Sequence, residues 1–427
     1  MENVAHVSYL TGSFDIMIEA FLPDTEGLFK FLTQDLEKIE GISYAETWNV
    51  LRTDKFNYMW ESENVGVGPA APPEEAAPTP GHEDHQPATR GCPMFTVIQT
   101  DRGASDRLTE DAVFAGSGLD ISFVRHELHS EEGLIEACAA ADAIIPAYAP
   151  LTARVLDELP RCRIVAFMAT GFNSVDVAAA TEHGIVVTNV PDYCTAEVAD
   201  HALGFLLDLG RNISRLHDSV RAGAWDYEAC GKPGRIGDQS LGIVGLGRIG
   251  SAVARRALAF GLTVRASDPY VDEAAMTALG VEKTDLDAIL ECDFVSLHCS
   301  LTDETLRIID AAALARMRPT AFFINAARGA CVDTQALTQA LADGRIAGAA
   351  LDVVDPEPLP AGHPMYSMPN VIITPHSAFM SRVSEKEARE KACQEIVKAL
   401  RGETPLYVRN PEVLERDDLR LSAPSPT

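Results

Sequence analysis

The feature that most constrains the fold is the stretch Leu241-Gly242-Ile243-Val244-Gly245-Leu246-Gly247-Arg248-Ile249-Gly250. An apolar run passes directly into G-x-G-x-x-G. Residues 240–244 read as a buried parallel strand, and residues 248–260 carry Ile249, Val253, Ala254, Ala257 and Leu258 at helical spacing. A glycine turn between strand and helix lets an anion approach backbone amides at the positive end of the helix. Gly245 suits the tight turn, Gly247 the close approach and Gly250 the packing of helix on strand. A second strand, 262–267, ends at Asp268. That acid lies about 20 residues beyond the glycines, where a ribose hydroxyl pair needs an acceptor. The glycine pattern alone also occurs as an ordinary tight βα turn. With strand, helix and acid in register it reads as a dinucleotide site lined by Gly245, Gly247, Arg248, Ile249, Gly250 and Asp268.

A chain of 427 residues predicts two or three domains, and 46% hydrophobic residues suffice for real cores. The formal charge of -28 disfavours direct nucleic-acid binding and anionic membranes; a salt-adapted surface is a lesser reading of the same charge. The nine cysteines contain no C-x-x-C pair, so neither a disulfide framework nor a zinc site is expected, and a reduced cytoplasm fits. No apolar run reaches membrane-span length, and the first residues, with Glu2, do not read as a signal peptide. No metal is expected: His82 and His85 have no ligand partners nearby and read as solvated.

In chain order, residues 1–61 read as a small α+β unit, with strands at 4–10, 15–21 and 44–51 and a helix at 25–39. Residues 62–91 are a Pro/Ala-rich linker, expected disordered. A new core begins near Met94, with strands at 95–99, 120–124, 141–146, 163–167 and 185–187 and helices between them. Residues 195–222 read as one long helix able to cross between domains. Later strands fall at 294–298, 321–325, 348–351 and 371–374, and 381–401 is a final amphipathic helix that returns to the first lobe. The alternation implies an α/β fold of two Rossmann-like, doubly wound parallel-sheet lobes with a cleft between them. The divisions are 92–196 with 377–412 for a substrate lobe, 197–376 for a dinucleotide lobe, and 413–427 for a polar, Pro-rich tail expected disordered.

In open α/β sheets the ligand lies beyond the carboxyl ends of the strands. There the sequence places Arg328 after 321–325, Glu357 after 348–351 and His376 after 371–374. An arginine can grip a carboxylate with two parallel hydrogen bonds. Alone, each is a surface arginine, a solvated loop acid or a helix-entry histidine. Together, beside a nicotinamide site, they have the roles ketone reduction requires.

The stretches "VTNVPDYCTAEVADHALGFLLDLGR", "LGIVGLGRIGSAVARRALAFG", "LHCSLTDETLRIID", "FFINAARGACVD", "ALDVVDPEP" and "VIITPH" resemble the D-isomer-specific 2-hydroxyacid dehydrogenases, over about 94–411. The wording "VPDYCTAEVADHAL" is similar to the branch containing the C-terminal-binding proteins. The resemblance implies a cytoplasmic, phosphoglycerate dehydrogenase-like homodimer that interconverts a D-2-hydroxy acid and a 2-oxo acid with NAD. It implies that Arg328 holds the substrate carboxylate, His376 is the acid/base, and Glu357 bonds His376 and favours its protonated form. Asp268 would bind the adenine-side ribose and repel a 2′-phosphate. Thr305, Ala326 and Asp352 sit at positions that usually line the cofactor. Ala169-Thr170-Gly171 matches the loop whose amides meet the carboxylate, with alanine where the family more often has glycine. Separately, "YLTGSFDIMIEAF…LEKIEGISYAETWNVLRTDK" resembles part of the effector-binding domain of Lrp/AsnC-type regulators, without that family's first strand and helix or its helix-turn-helix. That leaves a second functional class, an NAD(H)-sensing regulator; the intact Arg–Glu–His set favours the enzyme.

Overall fold

The structure, a computed structural model, describes residues 4–9, 16–20, 95–101, 106–128 and 130–421. Residues 1–86 and 87–427 are separate compact units. In the first, β1 (Val4–Tyr9) pairs antiparallel with β2 (Ile16–Ala20). The expected helix at 25–39, the strand at 44–51, the linker with His82 and His85, and residues 422–427 lie outside the described residues.

The larger unit holds two all-parallel sheets. The first contains β3 (Phe95–Gln99), β4 (Ile121–Arg125), β5 (Ala143–Ile145), β6 (Ile164–Ala166) and β7 (Val186–Thr188), in the order β4-β3-β5-β6-β7. Helices α1 (Leu108–Gly116), α2 (Glu131–Cys138), α3 (Ala153–Asp157) and α4 (Val177–Glu182) connect them. Strands β5, β6 and β7 are buried along their whole length, as cover on both faces requires.

Two helices follow, α5 (Thr195–Arg211) and α6 (Ile213–Arg221). The sequence reads them as one helix over 195–222; the structure breaks it at Asn212, which takes the left-handed conformation with φ 57°. Asparagine tolerates that region better than most residues. Asp208 secures the break by accepting from the Ser214 amide at 2.8 Å and from its hydroxyl. Eight α5 residues are buried and none in α6, so nothing in the core requires a straight continuation.

The second sheet has the order β10-β9-β8-β11-β12-β13-β14. Its strands are β8 (Ser240–Val244), β9 (Thr263–Ser267), β10 (Glu282–Lys283), β11 (Phe294–Leu297), β12 (Phe322–Asn325), β13 (Gly348–Leu351) and β14 (Val371–Ile373). Its helices are α7 (Arg248–Ala259), α8 (Glu273–Ala278), α9 (Leu286–Leu290), α10 (Ala311–Arg316) and α11 (Thr334–Ala342). The last helix, α12 (Arg382–Leu400), starts with a Ser381 capping box. It returns to the first sheet, where Cys393, Ile396, Val397, Ala399 and Leu400 share a core with Phe95, Val97, Ala143 and Ile164. A buried ion pair between Arg389 and Glu110 ties α12 to α1.

The expectation of a disordered tail from 413 fails over 413–421. Strand β7 is an edge whose backbone groups need partners. The buried Asn410 supplies them: its Oδ1 accepts from the Val187 amide and its Nδ2 donates to the Ile185 carbonyl, both at 2.9 Å. Val408 adds an antiparallel bridge to Thr188, and Val413 and Leu421 are buried in the same core. The polar, Pro-rich composition concealed these two anchors.

Candidate active site

Sheet order locates the first half of the site. The order reverses at β8, whose neighbours are β9 on one side and β11 on the other, so a crevice opens at their carboxyl ends. The glycine turn lies in it. Gly245 has φ 89°, and a Cβ there would stand 2.7 Å from the Cys299 backbone. A Cβ on Gly250 would stand 2.1 Å from the Gly245 carbonyl oxygen, so only glycine lets α7 close on the turn. Gly247 differs: a Cβ there meets nothing within 4 Å. Backbone is therefore exposed where α7 begins, and that cradle fits a pyrophosphate. Arg248 lies beside Arg409, whose guanidinium is made less basic by burial first and by Arg248 second; two neighbouring cations suit a dianion. The Asp268 carboxylate accepts from the amides of Leu246 (2.7 Å) and Tyr270 (2.8 Å), which sets it on the rim of the turn. Ile249 and Ala326 pack with Met168 and Phe379 on the fringe of an apolar cluster formed by Val190, Tyr193, Cys194 and Val198 with Ala378, Ala388 and Ala392. The Thr305 hydroxyl closes the turn after β11, donating to the Ser300 carbonyl at 2.6 Å and accepting from the Thr302 amide at 2.8 Å.

The second half comes from the first sheet. The loop after β6 holds Ala169, Thr170 and Gly171. The Ala169 carbonyl accepts from the Val190 amide at 3.0 Å, and the Thr170 hydroxyl donates to the Val190 carbonyl at 3.2 Å. Among the described residues the Thr170 and Gly171 amides have no acceptor, which leaves them for an anion. A Cβ on Gly171 would fall 2.0 Å from Arg328 Nη2, so only glycine lets the guanidinium approach the loop this closely. Arg328 Nη1 donates to the Ala327 carbonyl at 2.6 Å. Amides and guanidinium thus meet at one point, from opposite lobes.

His376 follows β14, two strands from Arg328 at the same end of the sheet, and Tyr148 lies within electrostatic reach of both Arg328 and Glu357. His376 Nδ1 is 2.7 Å from Glu357 Oε1, and its Nε2 has no hydrogen bond among the described residues. The residue takes φ 52°, a conformation that costs a non-glycine residue about 1–3 kcal/mol. Asp352 holds it there. The His376 amide donates to the carbonyls of Asp352 (2.8 Å) and Thr374 (3.0 Å). The buried Asp352 carboxylate accepts from the Thr374 hydroxyl (2.5 Å), the Ser377 amide (2.8 Å) and the Ala378 amide (3.0 Å). The resemblance places Asp352 among the residues that line the cofactor; in the structure its carboxylate holds the loop that carries His376. His201 on α5 adds a contact to Thr374. Asp101 was also missed: its carboxylate accepts from three successive amides, Ala147, Tyr148 and Ala149, beside the site. A buried acid directly after a strand was the available signal for it.

Among the described residues no group of His, Cys, Asp and Glu could hold a metal, no helix is long and apolar enough to cross a membrane, and the eight cysteines are free thiols.

Comparison with known proteins agrees with this geometry. Residues 203–378 match the NAD binding domain of D-isomer specific 2-hydroxyacid dehydrogenases, and residues 1–59 match the Lrp/AsnC ligand binding domain. A D-3-phosphoglycerate dehydrogenase of Methanocaldococcus jannaschii is 35% identical over 309 residues, 72% of this chain and 58% of that protein. A solved D-lactate dehydrogenase from Aquifex aeolicus, complexed with NAD and lactic acid, superposes with a TM-score of 0.67 at 27% identity, over 75% of this chain and 97% of the other. A glyoxylate reductase of Korarchaeum cryptofilum is 38% identical over 298 residues, 67% of this chain and 88% of that relative. A likeness of that extent, on a fold with the glycine turn at its switch point, shows that the chain belongs to the D-isomer specific 2-hydroxyacid dehydrogenases, an oxidoreductase family, and carries their NAD-binding domain.

Proposed function

We propose that the chain interconverts a small 2-oxo acid and its D-2-hydroxy acid, with NAD as the hydride partner. The observation that carries this reading is the Glu357–His376 pair at 2.7 Å, at the same end of the sheet as Arg328, which packs against Gly171. NAD, when bound, supplies or accepts the hydride. Gly245, Gly247 and Gly250, with Arg248 and Ile249, would hold its phosphates, Asp268 its adenine-side ribose, and Thr305 and Ala326 would line its path. Arg328 and the loop Ala169-Thr170-Gly171 hold the substrate carboxylate and turn its carbonyl toward the reacting carbon. His376 Nε2 gives a proton to the developing alkoxide, or takes it in the reverse direction. Glu357 bonds the opposite ring nitrogen, fixing the tautomer and balancing the imidazolium. Following NADH absorbance with glyoxylate, pyruvate and hydroxypyruvate tests the reading. Turnover of at least one is expected, giving the D product where pyruvate or hydroxypyruvate is reduced, with NADH preferred to NADPH because Asp268 opposes a 2′-phosphate.

A homodimer in the cytoplasm fits the same reading. What supports the dimer is the apolar surface on and after α6, where Ile213, Val220, Trp225 (91% exposed) and Tyr227 (85% exposed) face outward; light scattering would give the mass.

The match of residues 1–59 to a ligand-binding domain favours a second reading, an NAD(H)-sensing regulator of the kind the C-terminal-binding proteins exemplify. NADH binding without turnover of any 2-oxo acid would support it. Under the enzyme reading, removing residues 1–90 should leave NADH binding and turnover in place and alter only effector sensitivity or assembly.

A further inference from the structure

Resting on the dehydrogenase reading, we propose that His201, acting through Thr374, is a positioning residue for the acid/base His376. The relay is continuous. Thr374 has one hydroxyl proton and gives it to Asp352 Oδ1 at 2.5 Å. Its oxygen can then only accept, so His201 Nε2, 3.1 Å away, carries the proton and donates. The imidazole is held edge-on against Phe205, ring centroids 4.4 Å apart, one turn along α5. Asp352 Oδ1 lies 3.8 Å from His201 Nε2, so the donated proton also faces the carboxylate.

This arrangement matters because of what Asp352 does. Its side chain gathers groups from both sides of His376, Thr374 before it and the Ser377 and Ala378 amides after it. Its carbonyl takes the amide of His376 itself. The left-handed turn at His376 is thereby closed on one residue. Thr374 is the one member of this clasp that donates through a rotatable hydroxyl, and His201 fixes the rotor. Without that donor the hydroxyl is free to leave Asp352, and the loop loses its fixed aim. The Glu357–His376 contact depends on that aim, and displacement of a reacting group by about 1 Å is enough to cost two orders of magnitude in rate. Helix α5 also begins next to the substrate loop, where Cys194 Sγ lies 3.9 Å from the Thr170 hydroxyl. One helix therefore references both the carboxylate loop and the proton donor.

The test compares His201→Leu and Thr374→Val, which remove the donor and the hydroxyl, with His201→Gln and Thr374→Ser, which keep them. In the full chain, kcat for the best 2-oxo acid should fall at least tenfold in the first pair. KM and NADH affinity should stay within about twofold, and the second pair should recover most of the rate. The double variant His201→Leu/Thr374→Val should be little worse than either single, since both cut one relay. Hydrogen exchange of a peptide spanning 374–380, measured without substrate, should quicken in the first pair only. Unchanged kcat and exchange in His201→Leu, or equal losses in His201→Gln and His201→Leu, would overturn the proposal while wild-type turnover still upheld the dehydrogenase reading. Absence of turnover in the wild type would sink that reading, and the exchange experiment would still decide whether His201 holds the loop.

Discussion

The two parallel sheets each reverse strand order once, and each therefore offers a crevice lined by backbone amides. In the seven-stranded sheet the crevice between β8 and β11 is kept open by glycine: Gly247 faces nothing within 4 Å. In the five-stranded sheet the equivalent crevice, between β3 and β5, is filled by the chain itself. Asp101 reaches across and takes the amides of Ala147, Tyr148 and Ala149 at 2.8, 3.1 and 3.0 Å, with the Thr100 hydroxyl adding a fourth bond at 2.8 Å. The same geometry attracts an anion in both places, but in one lobe the anion is built in. In the proposed reading the five-stranded lobe meets ligand through its next loop, 169–171, and supplies amides, while Arg328, Glu357 and His376 all come from the other lobe. In that reading recognition is shared by the two sheets, and proton transfer falls to the seven-stranded one.

The sharpest break of that division is His376→Ala, which should reduce kcat by about 10²–10⁴ while fluorescence titration still shows NADH binding. Retained turnover would mean that the proton comes from elsewhere, including the amide-bearing lobe. Next come the glycines of the open crevice. Gly250→Ala drives a Cβ to 2.1 Å from the Gly245 oxygen and should lower stability by about 1–3 kcal/mol in urea titrations. Gly247→Val should leave stability unchanged and weaken NADH about tenfold, since its side chain enters space that only a ligand fills; equal effects at both positions would contradict an open crevice. In the closed crevice, Asp101→Ala leaves three amides without their acceptor and should cost on the order of 1–3 kcal/mol. Sulfate should restore part of that loss, and no response to sulfate would count against the built-in anion. The smallest effect concerns His298, at the wall of the open crevice. Burial lowers its pKa to about 4, and its Nδ1 has no partner. The unfolded chain takes up the proton near pH 6.5 and the folded chain only near 4, so this residue's contribution to stability falls as pH drops through that window. Relative to pH 7.5, wild type at pH 5 should lose on the order of 1–2 kcal/mol more than His298→Gln does.

Much of this was legible in the residues. Strands 240–244 and 348–351 were read with their observed bounds, because strands buried on both faces are written as unbroken apolar runs. Gly245, Gly250 and Asp268 were legible because a βα turn keeps its partners close in sequence. What was hidden is long-range or lacks a period. Asp101 finds its amides 46 to 48 residues away, and His201 finds Thr374 at a separation of 173. Asn212 was masked by Ile213 and Leu216, which continue the apolar spacing of α5 although no residue of α6 is buried. Asp352 stood at the right strand end, but whether a carboxylate serves a ligand or its own loop depends on amides that only the fold brings near.

The return of α12 to the first sheet has a consequence for synthesis. Phe95 opens a core that Ile396 and Leu400 must close, so the five-stranded lobe cannot finish packing until α12 has left the ribosome. At typical elongation rates the roughly 300 intervening residues impose a wait of about 15–60 s. Through that interval the half-built lobe presents the apolar face that α12 will cover, whereas the seven-stranded lobe, whose strands all lie between Ser240 and Ile373, has its entire sheet in hand sooner after its first strand emerges. The later-encoded sheet is the one placed to become native first, and the earlier one waits for α12.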